Sequence, residues 1–267
     1  MAAQNENLKI EFTGDLSGLS IVVNGKTLYK NKGNGKNDKH PSPAQVRLYK
    51  NHSVSSTFAS CVNKIPVLKQ VWRNTKFKKS PRQSYGKDSE ERKSAGKAAT
   101  FNKIVAANRK IKQDQDYPNE SNKFVPDNLE GMPKFDAILL GEELIVNIDF
   151  IMNGDRMVFD KSEQSITGAA VFSAYHPKKR SKDKFELFPK WETMKEFISA
   201  DSCQIILPIT IEEQEILKRY NDCYLYFTIA TEKRGGKLIR CFNSPGVSSS
   251  LADYPLGPVH FTNQPKS

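Results

Sequence analysis

Near residue 135 the spacing of apolar side chains changes, and with it the kind of element the chain is able to form. Leu144, Val146, Ile148 and Phe150 alternate with Ile145, Asn147, Asp149 and Ile151. That period of two places every second side chain on one face of a strand. Asn153-Gly154 then turns the chain toward RMVF. The sequence predicts further strands at AAVFSAY (169–175), CQIILPI (203–209), CYLYFTIA (223–230) and KLIRCFN (237–243), the last two joined by the hairpin-like TEKRGG. One short helix, near 211–220, interrupts them, opened by the capping pair Thr210 and Glu213. Short strands at this spacing, with hairpin turns and little helix, predict an antiparallel sandwich over 129–267. The tail after Pro255 reads as irregular.

Upstream the period is helical. A hairpin comes first, with strands expected at 19–23 and 26–30 around Asn24-Gly25, the dipeptide that best supplies two positive φ angles. The stretch NKGNGKNDKH has nothing apolar to bury and reads as a basic linker. Ser42-Pro43-Ala44-Gln45 has the form of a capping box with proline at the first helical position. Val46, Lys50, Val54, Phe58, Cys61 and Ile65 follow at steps of three and four, with Tyr49 and Val62 alongside. That pattern predicts a helix with Val46, Val54 and Phe58 inward. Pro66 breaks it, and a second helix presents Val67, Leu68, Val71 and Trp72. Residues 76–92 read as a charged, exposed loop. A third helix is expected over about 94–112, with Ala98, Phe101, Ile104, Val105, Asn108 and Ile111 as its inner stripe.

The charge divides the same way. Residues 1–128 hold 24 Lys+Arg against 11 Asp+Glu, and residues 129–267 hold 17 against 19. Between Gly25 and Lys112 the ratio is 22 to 4, a net of +18. The fold class expected is α+β: a basic hairpin-plus-helices module over 1–128, followed by the sandwich.

GDLSGLSIVVNGKTLYK, PSPAQVRLYKNHSVSSTF, VLKQVW, TFNKIVAANRK, AAVFSAYHPKK and DCYLYFTIATEKRGGKL together resemble an uncharacterised bacterial domain family of unknown function. The resemblance implies an N-terminal hairpin, a helix opened by Ser/Thr-Pro-x-Gln, and a sandwich of immunoglobulin-like type. It carries over no catalytic residue. The lysine-rich stretch 76–97 and Lys50 on the apolar helix face depart from it.

Several chemistries lack their residues. GNGK (33–36) and RGGK (234–237) miss the spacing and the following Ser/Thr of a phosphate-binding loop. GxSxG is absent, and His40, His52, His176 and His260 stand in no recognisable motif. Glu142-Glu143 and Glu212-Glu213 sit at a turn and in a helix's first turn, which are structural places. Cys61, Cys203, Cys223 and Cys241 have no zinc spacing and read as buried free thiols of a reducing, cytoplasmic compartment. No enzyme, cofactor or metal is expected, nor a membrane segment or secretory signal.

What remains is binding. A region at +18 releases counterions when it neutralises phosphates. The residues expected to contact nucleic acid are Arg47, Lys50, Arg73, Lys76, Lys78, Lys79, Arg82, Lys103, Arg109 and Lys110, with Phe77 and Tyr85 stacking on bases. No motif for base-specific readout appears. The alternative is a structural subunit of a larger assembly of shell, tube or phage-like type. Self-association or a partner protein would then be held by the sandwich and the N-terminal arm. Tyr224 and Tyr226 face either an interface or a helix of the same chain.

Overall fold

The computed structural model describes residues 10–13, 20–23, 26–30, 43–74, 100–109, 111, 116–127, 129–152, 154–180, 183–195, 201–233 and 235–263. Contacts divide the chain into two compact units, Met1–Arg47 and Leu48–Ser267. The first carries β1 (Ile10–Thr13), β2 (Ser20–Val23) and β3 (Lys26–Lys30), an antiparallel sheet in that order. Two residues separate β2 from β3, and Val23 pairs with Lys26, as a two-residue hairpin requires. Asn24 and Gly25 themselves lie outside the described residues.

Helix α1 (Pro43–Val62) starts at the proline, whose missing N–H would have had no partner in a first turn. Ser42 lies outside the described residues. Next come α2 (Pro66–Asn74) and α3, helical over 100–108. The strands follow as β4 (Glu130–Gly131), β5 (Lys134–Leu140), β6 (Glu143–Asp149), β7 (Ile151–Met152), β8 (Asp155–Arg156), β9 (Ser165–Pro177), β10 (Phe185–Lys195) and β11 (Ser202–Pro208). Helix α4 (Ile211–Lys218) precedes β12 (Tyr220–Lys233), β13 (Lys237–Asn243), β14 (Val247–Ser250) and β15 (Val259–Thr262). The protein is mixed α+β. At α4 the expected capping box is present: Glu213 N–H donates to Thr210 Oγ1 at 3.3 Å, and Thr210 N–H to Glu213 Oε2 at 2.8 Å.

Two sheets face each other. One runs β11-β6-β5-β15; the other runs β10-β9-β12-β13-β4, with β14 also on β12. Alternate residues of each strand meet between them. Ala137, Leu144, Val146 and Phe261 come from the smaller sheet, and Ala170, Phe172, Leu225, Phe227 and Ile229 from the larger. Gly168 marks a close approach, since a Cβ there would lie 2.9 Å from two side-chain atoms of Ile205.

The other face of the larger sheet is covered by helices. Phe58, Val62, Leu68, Trp72 and Ile104 pack with Ala169, Val171, Tyr224 and Tyr226 in one core. Strands β9 and β12 are therefore buried on both faces, which accounts for uninterrupted apolar runs such as CYLYFTIA. Residues on both sides of position 128, where the cations become sparser, contribute to this shared core.

Three expectations need correcting. Val46 and Tyr49 do not turn inward: residues 43–50 are all exposed, Tyr49 by 65%, and burial in α1 begins at Val54. The sequence gives no sign of β10, because it contains Pro189 among charged residues; as an edge strand it tolerates a proline. The segment after Pro255 is not all irregular, for Val259 and Phe261 pair with Leu139 and Ala137.

Candidate functional site

The three helices carry the cations expected to contact a polyanion. Over 43–74 and 100–109 there are seven Lys and Arg (Arg47, Lys50, Lys64, Lys69, Arg73, Lys103, Arg109) and no Asp or Glu. Lys64, Lys69, Arg73 and Arg109 are exposed and have no acidic partner among the described residues. Arg47 is exposed on α1. Two of the expected contacts are already engaged. Lys50 Nζ lies 2.8 Å from Asp116 Oδ1, which explains a lysine on an apolar stripe. Lys103 Nζ donates to Trp72 O at 3.1 Å and Arg73 O at 3.0 Å, closing the carbonyl end of α2. Burial lowers the pKa of this ammonium, so Lys103 serves the fold rather than the surface. Lys76, Phe77, Lys78, Lys79, Arg82, Tyr85 and Lys110 lie outside the described residues.

A second constellation is one that sequence reasoning missed. His176 ends the buried part of β9 at φ +56°, left-handed backbone that a residue with a Cβ seldom adopts. Its Nδ1 lies 2.8 Å from Asp222 Oδ2, and its Nε2 2.9 Å from the Tyr117 hydroxyl. A carboxylate only accepts, so Nδ1 carries the proton and donates to Asp222; Nε2 then accepts from Tyr117. Tyr117 stacks on Tyr175 with centroids 4.5 Å apart, and Tyr175 on Tyr224 at 4.8 Å. Tyr117 ends this stack. Burial, with Tyr224 and Asp222 nearby, raises its phenol pKa, so it stays protonated as a donor and makes a poor nucleophile.

The remaining tyrosines of the stack serve the helices. Tyr226 is fully buried, its ring 4.9 Å from Phe58 and its hydroxyl donating to Asn119 O at 2.6 Å. Of the two roles open to Tyr224 and Tyr226, covering a helix is the one the structure has. Beside Tyr117, Lys50, Thr57, Asp116, Lys184 and Glu186 line an open depression of about 480 Å³ between α1 and the start of β10.

The thiols offer no reactive group. Burial pushes Cys61 and Cys203 up to about 12 and Cys241 to about 11, and raises Cys223 as well. All four are free. Among the described residues no helix is long and apolar enough to cross a membrane. Compared with protein-family models, curated proteins and solved structures, the chain matches none.

Proposed function

We propose that this chain is a non-catalytic binding protein whose N-terminal half holds a polyanion, namely nucleic acid without base specificity. The observation that supports this is the helical layer, whose residues 43–74 and 100–109 contain no carboxylate and expose Lys64, Lys69, Arg73 and Arg109 with no acidic partner among the described residues. Cations on a surface lacking acids of its own exchange condensed counterions for protein contacts, an association that weakens steeply with salt. The raised phenol pKa of Tyr117 and the raised thiol pKa values make these groups poor nucleophiles, which is consistent with the non-catalytic reading. Four unpaired thiols support a reducing, cytoplasmic setting. Two sheets face to face, antiparallel in every pair but β13–β4, support the immunoglobulin-like reading of the sandwich and the resemblance behind it.

Gel shifts with mixed-sequence nucleic acid test the proposal. Retention is expected at low ionic strength and its logarithm should fall linearly with the logarithm of salt. The K69E/R73E/R109E variant should bind at least tenfold more weakly. Absence of retention at low salt overturns the reading.

A second reading, subunit of an assembly, is favoured by Leu48 and Tyr49, each 65% exposed on α1. Native mass measurement should then give a defined oligomer that L48D/Y49D dissociates; a monomer at high concentration removes it.

A further inference from the structure

The cationic character of the first half has a counterpart in the second, at the turn between β9 and β10. Lys178, Lys179, Arg180 and Lys184 are all exposed, and none has an acidic partner among the described residues. Of the carboxylates around them, Asp116 pairs with Lys50 and Glu186 with Arg219. Asp183, within the turn, and Asp222, hydrogen-bonded to His176, offset them in part. The start of the turn is held in place, because Lys178 N–H donates to Arg219 O at 2.8 Å and Asn221 Nδ2 to His176 O at 3.0 Å.

Two rings stand at the foot of this turn. His176 has a half-exposed side chain, and Tyr117 is the outermost ring of its stack. Among the described residues the only rings packed against Tyr117 are Tyr175 on one face and the His176 edge at 5.1 Å. The hydrogen bonds from Asp222 through His176 to Tyr117 fix both rings before any ligand arrives, so little rotamer entropy is lost on binding. Fixed aromatic faces beside unneutralised cations are the combination that binds unpaired nucleotides. Stacking tolerates any base, and the cations track phosphates. A folded acidic protein would use the cations and have no need of the rings.

We propose that Tyr117, His176, Lys178, Lys179, Arg180 and Lys184 form a binding site for single-stranded nucleic acid, with a base against Tyr117 and His176 and the phosphates against the four cations. This rests on the polyanion-binding reading and adds to it a strand type and a second surface, across the depression between Lys50 and Lys184.

The experiment is fluorescence anisotropy of the full chain with labelled oligothymidylate and with a duplex of equal length, across a salt series. K178E/K179E/R180E should weaken single-strand binding at least tenfold and reduce the salt slope by about 2, from 0.7 per phosphate contact. Y117L should weaken single-strand binding about tenfold with the slope unchanged, while duplex binding moves less. Circular dichroism melting confirms that each variant folds, and the turn variant, whose three side chains are all exposed, carries the test if Y117L does not. Unchanged oligothymidylate binding by the turn variant, while K69E/R73E/R109E loses it, overturns this site and leaves the helical reading standing. If wild type binds neither nucleic acid, the helical reading falls, and the site with it. Tighter binding of labelled polyglutamate than of oligothymidylate, lost in the turn variant, overturns the ligand class.

Discussion

The two coverings of the larger sheet differ in chemistry more than in burial. Toward the smaller sheet, β12 presents Cys223, Leu225, Phe227 and Ile229, an all-apolar row. Toward the helices it presents Tyr224, Tyr226 and Ala230, with the tyrosine hydroxyls passed to Glu120 and Asn119 at the rim. The first core is held mostly by apolar area, with the hydroxyls of Tyr220 and Tyr254 passed to Glu186 and Gly141 O at its edge. The second is a seam, in which aromatic bodies supply area and their polar tips fasten the connecting segment 116–120. A strand can thus support a neutral scaffold on one side and a cationic layer on the other, because burial constrains only the inner faces of those layers.

Substitutions on each side test this contrast. Phe227→Ala should have the largest effect, about 3–5 kcal/mol by chemical denaturation, since a fully buried ring leaves a cavity that two sheets cannot close. Gly246→Ala should cost about 2 kcal/mol on the helical side: a Cβ there would meet Tyr226 Cε1 at 2.6 Å, and that ring is wedged against Phe58. A melting temperature equal to wild type would show that the seam yields where the sandwich does not. The ion pairs give the smallest and most graded comparison. Lys190 pairs with Glu213 on the sandwich side, with side chains 13% and 17% exposed, whereas Lys50 and Asp116 are 53% and 42% exposed. Lys190→Ala should cost about 2 kcal/mol and Lys50→Ala under about 1, the latter vanishing in high salt.

The sequence carried more of the fold than of the site. Strands whose side chains alternate between core and solvent, such as β6, announce themselves by period, and α4 by its capping pair. Lys50 looked like an error on an apolar stripe because its partner, Asp116, is 66 residues away. Strand β10 was silent because an edge strand has one free side and keeps a proline and charges. The Tyr117–His176–Asp222 chain was beyond reach for a different reason. Asp222 comes beside His176 only through the β9–β12 register, in which it pairs with Tyr175, and Tyr117 arrives from a connection with no period of its own. Local spacing reports on one element at a time, whereas this cluster is a product of pairing between elements.

The bond from Lys103 to the last carbonyls of α2 has a consequence for how the chain can vary. It ties the first turn of α3 to the end of α2, so the two described ends of the connection meet at one doorway. The free energy of closing a loop grows only logarithmically with its length. With the doorway fixed by one ammonium and two carbonyls, the entropy of closure sets little limit on how long the connection between the two helices can be.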